Sequence, residues 1–114
     1  MSEIDKVQVR NLFDSRTSTG YSSAYEVVGG EYRTFQAYGS TSSGSGAATV
    51  IIYGSNEDTQ STNALVQLGT ITLTLGTTVS ADGFASNAPW RFITARVSAI
   101  SGTGAAVTVN VGAC

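Results

Sequence analysis

Hydrophobic and polar residues alternate along this chain in short runs. The cleanest run covers residues 70–75, where Ile71, Leu73 and Leu75 alternate with Thr70, Thr72 and Thr74. Successive side chains of an extended strand point to opposite faces, so this run sends its branched side chains into a core and its hydroxyls outward. The period-two pattern predicts a strand over 65–75. A nearly continuous β-branched stretch predicts another over 48–53, halted by Gly54-Ser55-Asn56. Residues 90–100 are long enough for a full strand, and Gly102-Thr103-Gly104 turns the chain into a last one, where Val107, Val109 and Val111 alternate with Thr108 and Asn110.

Earlier in the chain, strands are expected over 23–28 and 31–38, joined by Gly29-Gly30, which supplies the positive φ angles of a two-residue hairpin turn. In the second of these, Tyr32, Thr34, Gln36 and Tyr38 share one face while Arg33, Phe35 and Ala37 share the other, and neither face declares itself the core. Residues 40–46 are small and flexible and read as a loop, and 57–63 read as a polar surface excursion. Gly76 and Asp82-Gly83 are expected as turns flanking a short segment around Val79, and Pro89 sits where the next strand needs no amide donor. No window has a helical period. Seven or eight short strands with closely spaced turns predict an all-β fold, an antiparallel β-sandwich or jelly-roll-like barrel, over residues 21–114.

The start of the chain differs from the rest. Residues 1–19 hold six of the fourteen charged side chains and only a short alternating patch of Val7 and Val9 followed by Leu12 and Phe13. This predicts an N-terminal arm over residues 1–20 that pairs as an edge strand on a neighbour, with the Ser15 to Ser18 stretch and Gly20 as hinge; the competing assignment, of equal weight, is a first strand in the domain's own sheet. A second feature is an internal echo. Residues 34–54 laid over 92–112, an offset of 58, agree at eight of twenty-one positions, with Gly-x-Gly-Ala-Ala at 44–48 and again at 102–106. Two equivalent hairpins facing each other across a core would produce such an echo, and so would chance alignment of Gly/Ser/Ala-rich segments.

Composition narrows the function. Charged residues are 12% of the chain, about half the usual ~25%, so Ser, Thr and Gly must cover a surface that stays compatible with packing against other protein. A net charge of −2 and scattered basic residues offer no field for a phosphate backbone, so nucleic acid is not an expected partner. No apolar stretch reaches the ~18 residues of a membrane span, and residues 1–6 lack a secretory profile, so synthesis in a cytoplasm is expected. The chain has no histidine and a single cysteine, Cys114, which removes the commonest general base, a thiolate triad and a zinc cluster. Glu57 and Asp58 are adjacent, which suits a solvated turn better than paired acid/base work, and the Asn56-Glu57-Asp58 spacing does not match a calcium loop. The expectation is a protein that is not an enzyme and carries no cofactor or metal. The tyrosines Tyr21, Tyr25, Tyr32 and Tyr38 fall in the first third of the chain and are expected in the core or an interface, with stacking on sugars as the sharper alternative. Trp90 is expected to anchor the core.

Four segments carry a resemblance: Ala48 to Asn56, Leu68 to Leu73, Ala88 to Val97 (APWRFITARV), and Ser101-Gly-Thr-Gly104. In this order they resemble the small β-sandwich virion structural proteins of tailed bacteriophages, among them capsid decoration or cement proteins and tail-associated modules. The resemblance covers about Gln36 to Gly112. It implies a structural role on a bacteriophage particle, made in the host bacterial cytoplasm; the expectation drawn from it and from the weakly charged, hydroxyl-rich composition is a capsid decoration or cement protein, a homo-oligomer (dimer or trimer) that clamps major capsid subunits. It equally admits a tail, neck or fibre component, and a carbohydrate-binding host-attachment module is the third alternative. In cement proteins terminal extensions commonly reach a neighbouring subunit. The interface expected on this basis comprises Ile4, Val7, Val9, Arg10, Leu12 and Phe13 of the arm, with Tyr21, Tyr25, Tyr32 and Tyr38.

Overall fold

The computed structural model describes residues 8–26, 33–56, 65–86 and 90–113. These residues form nine strands and no helix: β1 (Gln8–Arg16), β2 (Gly20–Tyr21), β3 (Tyr25–Glu26), β4 (Arg33–Ser40), β5 (Ser43–Ser55), β6 (Val66–Leu75), β7 (Ser80–Ser86), β8 (Phe92–Thr103) and β9 (Ala106–Ala113). Sheet I has the order β1-β9-β4-β7, and sheet II the order β2-β8-β5-β6, with β3 also on β8. Every pairing is antiparallel. Strands β2 and β3 act as one interrupted strand. Between them the Ser22 N–H donates to the Ala95 carbonyl (2.7 Å), while the Ser22 hydroxyl accepts the Ala95 N–H (2.9 Å). With β2/β3 taken together, the pairs β1·β9, β2/β3·β8, β4·β7 and β5·β6 are nested in sequence, as in a long hairpin rolled up on itself. That is the jelly-roll arrangement of the sandwich.

The core lies between the sheets and follows the alternation. Phe35 and Ala37 of β4 and Val107, Val109 and Val111 of β9 face Ala48, Val50 and Ile52 of β5, Ile71, Leu73 and Leu75 of β6, and Ile93, Ala95 and Val97 of β8. All are buried. A fully buried branched side chain contributes about 1.5–3 kcal/mol relative to exposure, so these strands hold the sheets together. The same packing settles β4, whose core face is Arg33, Phe35, Ala37 and Gly39, with Thr34, Gln36 and Tyr38 outside.

Several expected elements are revised. Residues 8–16 are not a detached arm: they form β1, hydrogen-bonded to β9 of the same chain, from Gln8 opposite Ala113 to Arg16 opposite Val107. A register shift between Asn11 and Phe13 lets two consecutive residues, Leu12 and Phe13, both turn inward and be buried, which an unbroken alternation forbids. Ser15, at φ 54°, lies in a second shift, and its N–H donates to the Thr108 hydroxyl (3.1 Å). The loop expected over 40–46 is shorter, because β5 already begins at Ser43. The turn expected at Asp82-Gly83 is the middle of β7, where Asp82 Oδ1 accepts the Gly83 N–H (2.8 Å) and Gln36 lies opposite Gly83. Gly29-Gly30, Glu57, Asp58, Pro89 and Cys114 lie outside the described residues.

The two echo segments are not hairpins either. Each crosses between sheets: β4 to β5 from sheet I to sheet II, and β8 to β9 from sheet II to sheet I. The equivalent glycines Gly44 and Gly102 both have positive φ, 69° and 117°, a region side chains rarely enter, so the first glycine of each motif serves the same backbone need beside each crossing.

Candidate functional site

The structure separates the residues expected to form one interface. Leu12 and Phe13 are in the core, Val9 is 65% exposed on β1, and Arg10 is exposed with its guanidinium 5.4 Å from the Tyr25 ring. Tyr25 is half-buried against the core from β3. Tyr21 and Tyr38 are exposed on opposite faces of the sandwich, Tyr21 on sheet II and Tyr38 on sheet I. Ile4, Val7 and Tyr32 lie outside the described residues.

Two outer faces remain as candidate sites. On sheet I, register partners form rows across the strands: Val9, Gly112, Thr34 and Ala85; then Asn11, Asn110, Gln36 and Gly83; then Thr108, Tyr38 and Ala81. None of these side chains carries a charge, and most are small. Gly83, Ala81 and Ala85 on β7, with Gly112 on β9, leave a shallow depression of about 540 Å³ bounded by Val9, Gln36 and Asn110, with the carboxylate of Asp82 at its β7 side. Amides and hydroxyls give this face hydrogen-bonding capacity without the desolvation cost of ions.

The outer face of sheet II is built differently. Tyr21 of β2 lies opposite Arg96 of β8, which lies opposite Ile51 of β5, which lies opposite Thr70 of β6. The next row sets Thr94, Tyr53 and Gln67 side by side. The guanidinium of Arg96 sits 5.1 Å from the Tyr21 ring centroid, and the Tyr21 and Tyr53 rings are 6.0 Å apart and inclined at 35°. A side-chain hydrogen bond from Arg96 to Tyr53, with the electrostatic effect of the nearby Tyr21 phenol next, raises the Arg96 pKa above its ordinary value. Gln67 Nε2 donates to Thr70 Oγ1 (3.3 Å) beside them. Of this cluster only Tyr21 had been singled out in the sequence. Tyr53 and Arg96 are 32 and 75 positions further along, and only the β2-β8-β5 strand order brings them together.

Other charged groups are engaged locally. Arg91 Nε pairs with Glu26 Oε2 at 2.6 Å, and with side chains 64% and 42% exposed this pair contributes at most about 1 kcal/mol. Arg16 donates to the carbonyls of Ser18 (2.8 Å) and Thr19 (2.7 Å) and lies over the Phe13 ring, which ties β1 to the turn before β2. Arg33 is buried at the start of β4, and desolvation lowers its pKa. Among the described residues no group of three or more His, Cys, Asp or Glu side chains is placed to hold a metal ion. Compared with protein-family models, curated proteins and solved structures, the chain matches none.

Proposed function

We propose that this protein is a structural component of a bacteriophage virion, of the capsid decoration or cement type, which forms a dimer or trimer and holds neighbouring major capsid subunits without performing catalysis. The observation that carries this reading is the outer face of sheet I: two register rows four strands wide and a third three strands wide, none holding a charged side chain, with Asp82 at the β7 margin of the depression. Interface centres are depleted of charge, and an amide- and hydroxyl-bearing face can exchange water for hydrogen bonds to a neighbour. Many such weak contacts repeated around a shell sum to strong retention. The resemblance of the segments between Gln36 and Gly112 to small virion proteins points the same way. Because β1 belongs to the domain's own sheet, the clamp is assigned to this face and not to a removable arm.

The test uses purified virions and the full-length chain. Mass spectrometry of the particles should find the chain at a copy number comparable with the major shell subunit; a few copies per particle would move it to the tail, neck or fibre. Gln36→Lys places an ammonium in the middle of the face. It should leave the fold intact and lower particle occupancy by about tenfold or more, because an uncompensated buried charge is costly. Unchanged occupancy of a folded Gln36→Lys protein would remove sheet I from the interface.

A further inference from the structure

The Tyr21, Tyr53 and Arg96 cluster lies on the sheet opposite the proposed docking face, and protein packing within the chain does not account for it. Arg96 projects from the outer side of β8, with Ile93, Ala95 and Val97 pointing the other way into the core. Its neighbours are neutral: a tyrosine ring, a phenol hydroxyl and, along the row, Ile51 and Thr70. The carboxylates among the described residues are occupied elsewhere. Asp14 accepts from Ser15, Glu26 from Arg91, and Asp82 from the Gly83 amide. A guanidinium carries more N–H donors than one phenol oxygen can accept, so this cation keeps hydrogen-bonding capacity, and among the described residues no carboxylate neutralises its charge.

We infer that the outer face of sheet II binds an acidic saccharide, a sugar chain bearing a carboxylate, at Tyr21, Tyr53 and Arg96. The chemistry of each group fits one part of such a ligand. The planar fork of Arg96, steadied by Tyr53 and by the ring of Tyr21, matches a carboxylate through paired N–H donors. The Tyr21 and Tyr53 rings are splayed and not stacked, so each has a face to offer the C–H side of a pyranose ring. Gln67 and Thr70 extend the surface with an amide and a hydroxyl for sugar hydroxyls. Four adjacent strands, about 4.8 Å apart, give a strip roughly 14 Å wide, which suits a short oligosaccharide better than a single sugar. This site is independent of the docking face on sheet I, and either can exist without the other.

Isothermal titration calorimetry on the full chain tests it, with a trimer of galacturonic acid as probe and a neutral glucose trimer and acetate as comparisons. The acidic trimer should bind, with affinity falling as salt is raised, while the neutral trimer and acetate bind at least about tenfold more weakly. Arg96→Gln should weaken the acidic trimer about tenfold or more, and Tyr21→Ala several-fold. Val79→Ala, at an exposed position in the connection between β6 and β7, should change nothing. If Arg96→Gln melts too low to assay, Arg96→Lys keeps the charge but loses the fork and should also weaken binding. Absence of binding by the unaltered chain, equal binding of the neutral trimer, acetate binding as tightly as the trimer, or full affinity in both Arg96 variants would each overturn the inference.

Discussion

On β5 the chain places a glycine, Gly54, where a Cβ would run into the indole of Trp90. The ring packs over that bare backbone and against the buried cluster but is only partly buried, so Trp90 flanks the core and is not its central anchor. The distinction has a measurable size. Truncating a fully buried tryptophan costs about 3–5 kcal/mol, and a half-buried one removes less apolar surface from the core. Trp90→Ala should therefore cost about 2 kcal/mol by urea unfolding, with the native fold retained. A loss near 5 kcal/mol would return the ring to the interior, and a loss near zero would make it a surface group free to bind. The contact itself is not visible in the local pattern, because 36 positions separate the two residues and only the adjacency of β5 and β8 joins them.

At the level of elements, period-two alternation was enough wherever one face is apolar and the other polar. Strands β6 and β9 fall where Ile71, Leu73 and Leu75, and Val107, Val109 and Val111, indicate. It failed where backbone chemistry departs from the pleat. In β1 a bulge buries Leu12 and Phe13 together, so the hydrophobic pair reads as a broken pattern and the segment as an arm. In β7 the Asp82-Gly83 pair mimics a turn, but the carboxylate takes the Gly83 N–H within an edge strand. The sheet II cluster was not legible at all, since faces built from different strands depend on topology. For β1 the difference is testable. Leu12→Ala in an integral strand should cost about 2–4 kcal/mol, whereas in a detached arm it would fall within the ~0.5 kcal/mol typical of surface changes. Urea unfolding of the single variant decides it.

The whole molecule gives the echo between residues 34–54 and 92–112 its meaning. Exchanging β4 with β8, β5 with β9, β1 with β6 and β2/β3 with β7 carries the order of sheet I into that of sheet II, so the jelly roll consists of two topologically equivalent halves, β1–β5 and β6–β9. The halves are interlocked and not side by side, because β9 pairs with β1 and β4 of the first half while β5 pairs with β6 and β8 of the second. Neither half can bury its apolar strands without the other. The order in which the halves occur along the chain is, by contrast, immaterial to the contacts. Gln8 and Ala113 are register partners, so a few linking residues can join the start of β1 to the end of β9. A permutant that starts at Leu65, runs through the linked ends and finishes at Asn56 keeps every strand pairing intact. It should show the same strand-dominated circular dichroism and melt within about 10 °C of the parent, since only loop-closure terms change. Halves expressed alone, at residues 1–56 and 65–114, should remain unfolded and gain structure only when mixed. A permutant that fails to fold while the parent does would show that the order of the halves, and not their interlock alone, determines the structure.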